Sequence, residues 1–144
     1  MLLRLVLYGG AITLIALHFW PHSASATPLM FTGTTAQDEE ILVGLNALDR
    51  VSWIQTQITG RCRGGPLTVP WNPHASVKMP FHVAGDRVHV EEVQTYGTER
   101  LVVTLDGIVP ADGGHASGVL RMKASFKEPP LSCDSSPVKW EASR

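Results

Sequence analysis

The sequence predicts an all-β domain, a small antiparallel β-sandwich, on three observations. After residue 26, Gly, Pro, Asn or Asp interrupts the chain roughly every eight to twelve residues, the spacing of short strands and turns. Between these breaks apolar and polar residues alternate with period two, which places one face of each strand on a core. No later segment sustains a helical pattern: over Asp38–Leu48, Ile41, Val43 and Leu45 alternate, and Gly44 disfavours a helix by about 1 kcal/mol.

The first 26 residues stand apart. Arg4 supplies a positive start, an apolar run extends from Leu5 to Trp20, and Ser23-Ala24-Ser25-Ala26 carries the small-x-small pattern of a cleavage site. The run falls short of the ~20 residues of a spanning helix and is interrupted by Gly9, Gly10, Thr13 and His18. Residues 1–26 therefore read as a signal-peptide helix, and 27–144 as the exported sandwich domain without a membrane span. The alternative is an uncleaved anchor. The expected location is secreted, periplasmic or cell-envelope.

The expected strands follow in order. Leu29–Thr34 and Glu40–Asn46 come first, with a turn over Ala47–Asp49. Val51–Cys62 is longer and changes parity: Val51 and Trp53 share one face, Ile54, Ile58 and Cys62 the other, so a bulge or twist is expected near Trp53. Arg63–Ala75, rich in Gly and Pro, reads as a loop. Val77–Val83 and Arg87–Thr95 form a hairpin, and Leu101–Val109 follows the Tyr96-Gly97-Thr98-Glu99 turn. The Asp112-Gly113-Gly114 turn leads to Ala116–Phe126, broken by Glu128-Pro129-Pro130. The last strand is Val138–Ala142, with Val138, Trp140 and Ala142 inward.

In an exported chain, Cys62 and Cys133 have a single possible pairing, and a disulfide is expected. It would tie the final strand to the end of Val51–Cys62, with Trp140 as core near the bridge. Removing Arg4 from 12 Lys+Arg leaves 11 against 13 Asp+Glu, a net of −2 with His neutral. The basic residues are scattered among acidic ones, so a nucleic-acid partner is not expected.

Three stretches carry a resemblance: Gly60-Arg61-Cys62-Arg63-Gly64-Gly65, Gly113-Gly114-His115-Ala116-Ser117-Gly118, and Cys133-Asp134-Ser135-Ser136-Pro137-Val138-Lys139-Trp140-Glu141-Ala142. Over about Val51–Arg144 the chain resembles small secreted bacterial β-sandwich modules of uncharacterised function, which end in a Cys, a turn and V-x-W-x-A. Ser136-Pro137 stands where a Gly is usual. The resemblance implies a fold and no activity.

Two places could carry chemistry. In Met79-Pro80-Phe81-His82-Val83-Ala84-Gly85-Asp86-Arg87-Val88-His89-Val90, the Gly85-Asp86 pair suits a type II′ turn. Counting outward pairs Ala84 with Arg87, Val83 with Val88, His82 with His89 and Phe81 with Val90. The histidines become cross-strand neighbours, about 4.5–5.5 Å apart at Cβ, a spacing suited to Zn²⁺, Ni²⁺ or Cu²⁺. Glu91, on the same face, is the candidate third ligand, with His115 or His74 as loop alternatives. The bland reading is an exposed His pair without a role. The second place is Trp71, Asn72 and His74 between prolines, a loop platform for a sugar or peptide, or a tryptophan folded over a sheet edge. Glu91 and Glu92 fall on opposite faces of their strand.

No nucleophile elbow, zinc-protease helix or phosphate loop occurs in the sequence. The expected function is therefore a non-enzymatic interaction or structural module with a protein or glycan partner and no required cofactor. The alternatives are a metal-binding protein using His82 and His89, or a carbohydrate-binding protein or small hydrolase using the Trp71 loop.

Overall fold

The computed structural model describes residues 29–76, 81–128 and 130–144. The 1–26 leader and the start of the expected Val77–Val83 strand lie outside these residues. The described chain is all-β, with ten strands: β1 (Met30–Thr35), β2 (Glu40–Leu45), β3 (Val51–Cys62), β4 (Gly65–Trp71), β5 (Phe81–Ala84), β6 (Arg87–Tyr96), β7 (Glu99–Ile108), β8 (His115–Lys127), β9 (Pro130–Asp134) and β10 (Val138–Ser143). Every pairing is antiparallel.

The strands form one hydrogen-bonded sheet, where the sequence suggested two separate ones. Its order is β10-β1-β2-β3-β9-β8-β7-β6-β5, with β4 attached to β3. An additional β10–β8 pairing closes six of the strands into a barrel. The two longest strands make this possible. β3 pairs with β2 through Thr56 and with β9 from Arg61. β8 pairs with β10 through Leu120 and with β9 from Lys123.

Each handover leaves backbone groups without a strand partner, and a polar side chain supplies one. On β3, the Gln37 amide donates to the Thr59 carbonyl at 2.7 Å and accepts from the Thr59 N–H at 2.9 Å. On β8, the Met122 N–H donates to Ser135 Oγ at 2.9 Å, while the Ser135 N–H donates to the Met122 carbonyl at 3.0 Å. The β3–β9 junction is the shortest in the ring: its ladder holds only Arg61 opposite Asp134 and Cys62 opposite Cys133. The expected Cys62–Cys133 disulfide lies there, with the two Cα atoms 4.2 Å apart.

The bridge thus holds β9, a short strand that the sequence reading passed over, rather than β10. Nor is β10 an edge: it pairs with β1 on one side and β8 on the other. Val138, Trp140 and Ala142 do face the core, opposite Leu120, Gly118 and Ala116. The short sequence motifs of β8 and β10 are therefore complementary in register. The Trp140 ring occupies the space over Gly118 and its neighbour Gly107; a Cβ at Gly118 would overlap the Asp106 carbonyl oxygen and lie 2.6 Å from Gly107 Cα and 2.8 Å from Trp140 Nε1. Trp140 is not near the bridge. Gly118 and Ala124, the β8 partners of Trp140 and Cys133, are six residues apart, about 20 Å along a strand.

The expected Arg63–Ala75 loop contains β4. Its inward residues are Leu67, Val69 and Trp71; Pro66 and Pro70 share the other parity, so both nitrogens can face the free edge, where no ladder bond is lost. The parity change in β3 is a bulge: Gly44 pairs with Trp53 and Leu45 with Val51, leaving Ser52 extra. Ser136, at φ 58°, takes the left-handed conformation of the usual Gly, with its N–H donating to Asp134 Oδ1 at 2.7 Å. The core runs through barrel and extensions, from Phe31, Ile41, Ile54 and Ile58 to Val90, Leu105, Leu120 and Met122.

Candidate functional site

The β5–β6 hairpin has the register expected from its turn: Phe81–Val90, His82–His89, Val83–Val88 and Ala84–Arg87. Gly85 has φ 60°, while Asp86 is not among the positive-φ residues, as a type II′ turn requires. Val88 and Val90 are buried, and this inward anchoring turns His82 and His89 to the outer face. Their ring centres lie 6.2 Å apart with planes inclined by 33°.

A third residue completes the row. His89 stands opposite Asp106 of β7, and His89 Nδ1 lies 2.6 Å from Asp106 Oδ1. An ionised carboxylate only accepts, so this contact places the imidazole proton on Nδ1 and leaves Nε2 of the neutral ring as an acceptor. Asp106 is not among the site residues expected from the sequence, although a signal for it is present. Gly97-Thr98 is a second two-residue turn, with Gly97 at φ 60° and Tyr96 opposite Glu99. Counting outward from it puts Asp106 opposite His89, but starting the strand at Leu101 hid that register.

The outer row continues from Asp106 to Val119 on β8 and Lys139 on β10. A neighbouring row joins Ala84, Arg87, Ile108, Ser117 and Glu141. The outer face of β5–β8 carries a groove of about 760 Å³. Ile108 and Val119 lie in it, 51% and 38% exposed, among His82, His89, Arg87 and Asp106.

The other candidate residues lie elsewhere. Glu91 shares the outer face of β6 but pairs with Thr104 and lines a separate groove of about 680 Å³ with Arg61, Arg100 and Lys123. There Arg121 Nη2 donates to Asp134 Oδ2 at 2.7 Å. This bond raises the Arg121 pKa and, as the largest cause, holds the Asp134 carboxyl below its ordinary value against the opposing effect of burial. His74 is exposed and pairs with Trp53, while His115 lies 3.4 Å from Ser143 Oγ and 4.0 Å from Glu141. Among the described residues, no three His, Cys, Asp or Glu side chains are grouped to hold a metal ion.

Trp71 belongs to the core, not to an exposed platform: it is 2% exposed, and its Nε1–H donates to Glu92 Oε2 at 2.6 Å. Glu92 points inward and Glu91 outward, as their parity demands; Gln94 Nε2 donates to Glu92 Oε1 at 2.7 Å. Asn72 is exposed in a small cleft beside Glu39, Glu40 and Gln55. Comparison with protein-family models, with curated proteins and with solved structures finds no match to this chain.

Proposed function

We propose that the protein is an exported interaction module of the cell envelope or extracellular space, binding a protein partner through the β5–β8 groove. One observation carries this reading: Ile108 and Val119 are exposed on adjacent strands of one groove, between Arg87 and Asp106 on one side and Ser117 and Lys139 on the other in their cross-strand rows. An apolar centre within a polar rim is the anatomy of a protein-binding patch. The disulfide is compatible with an extracytoplasmic location, and no helix among the described residues is long and apolar enough to cross a membrane. A glycan reading is less well supported, because its proposed stacking surface, Trp71, is buried in the core.

Site-specific photo-crosslinking in the cells that make the protein tests this. A photoreactive residue at Ile108 or Val119 should give an adduct of discrete mass, suppressed by Arg87→Glu. A photoreactive residue at Gln55, exposed on β3, should not give it. Absence of an adduct from both groove positions, or the same adduct from Gln55, refutes the proposal.

A further inference from the structure

We propose that His82 and His89 form a capture site for one divalent transition-metal ion, bound through imidazole nitrogens, with Asp106 positioning His89. This inference rests on the reading of the groove as a recognition face and gives that face a ligand chemistry.

The geometry carries it. A metal–nitrogen bond of 2.0–2.1 Å puts a bound ion roughly 3.2 Å from a ring centre, so two imidazoles have centres roughly 5.2 Å apart on a tetrahedral ion and roughly 4.5 Å apart at neighbouring corners of a square-planar one. The observed separation is 6.2 Å. Closing that gap takes small side-chain rotations of rings on the outer face; the His89 side chain is 44% exposed. The backbone need not move, because the hairpin register already holds the two Cα positions opposite each other.

Asp106 gives the site its preparation. The carboxylate at 2.6 Å accepts the Nδ1–H of His89 as a hydrogen bond, orients the ring and leaves Nε2 as the nitrogen that can face an ion. Metal-bound histidines recurrently use a carboxylate in this way. Glu91 is excluded from the role by its register, since it faces Thr104 and the other groove. Arg87 is the cation lining this groove and opposes metal charge, whereas Asp106 offsets it. Two protein nitrogens leave further positions on the ion open, so a bound metal would present an electrophilic point to a partner's His or carboxylate. Imidazole donors suit Cu²⁺, Ni²⁺ and Zn²⁺, not Ca²⁺ or Mg²⁺.

The test is calorimetric titration of the purified full chain, free of any added polyhistidine, with Cu²⁺ and separately with Mg²⁺. One equivalent of Cu²⁺ should bind with Kd below about 100 μM, and Mg²⁺ should not bind. His82→Ala and His89→Ala should each abolish the binding, with circular dichroism showing the fold retained. Asp106→Asn should weaken it by roughly 10–100-fold, while Glu91→Gln leaves it unchanged. Electron paramagnetic resonance of the parent Cu²⁺ complex should show two nitrogen donors. Absence of binding, binding that survives both His substitutions, or equal losses for Glu91→Gln and Asp106→Asn overturns the site. The titration reads metal alone and the crosslinking reads a partner alone, so failure of one is distinguishable from failure of the other.

Discussion

Removing the Cys62–Cys133 bond should open the barrel at one defined place. The two cysteines close a loop with a sequence separation of 71. The chain-entropy relation assigns such a loop about 15 cal/mol/K, or about 4.4 kcal/mol at 25 °C. Net stabilities of single domains are about 5–15 kcal/mol, so the link carries a large share of the total. The structure also says where the loss falls. Beyond the sulfurs, the β3–β9 junction has only a two-pair ladder and the nearby Gln37 amide. Reduction by dithiothreitol keeps both sulfur atoms in place and removes only the link, which separates chain entropy from packing; Cys62→Ala with Cys133→Ala provides a second route. With a urea slope near 1.5 kcal/mol/M, the unfolding midpoint should fall by about 3 M. Hydrogen exchange on the reduced protein should accelerate first in Pro130–Asp134 and at Arg61 and Cys62, before β6 and β7. A midpoint shift under about 0.7 M, near 1 kcal/mol, would refute the assigned role of the bond. Uniform acceleration of exchange would refute its assignment to this junction.

Three further outcomes are expected. Gln37→Met keeps the side chain's length but leaves the Thr59 N–H and carbonyl unpaired, which should cost about 1–3 kcal/mol in urea melts. Gly118→Ala meets the Asp106 carbonyl and the Trp140 ring and should destabilise by about 1–3 kcal/mol, whereas Gly64→Ala, with open space around it, should stay within about 0.5 kcal/mol. Asp134→Asn tests linkage: the Asp134 pKa is lowered in the fold, so its contribution is complete above the unfolded value near 3.9 and lost as pH falls through the folded value. The stability gap between parent and variant should be constant from about pH 5 to 7 and shrink below about pH 4, a small effect because the carboxylate is 43% exposed. A gap that widens in acid would contradict this.

Much of the candidate site was legible before folding. The type II′ turn at Gly85-Asp86 set the β5–β6 register, and with it the His82–His89 pair, because a two-residue turn leaves one way to count outward. Asp106 was equally encoded through Gly97-Thr98 but needed a second hairpin counted from its turn. Trp71 was misplaced for a different reason. Pro70 and Pro73 around it signal a loop in any local reading, and only the free edge of β4 makes Pro70 acceptable in a strand.

Local chemistry was enough to determine the all-β class, the inward face of β10, the parity break near Trp53 and the pairing of the two cysteines. Period, parity and turn type act over neighbouring residues, and two cysteines leave one choice. Closure was decided by the tertiary structure alone. Whether long strands lie in two sheets or hand over between partners to make a ring depends on which edges meet. That outcome is settled by distant contacts: Trp140 over Gly118, Gln37 against Thr59, and Cys62 beside Cys133. Alternation along a strand records which side is buried and carries no record of the strand that will lie beside it.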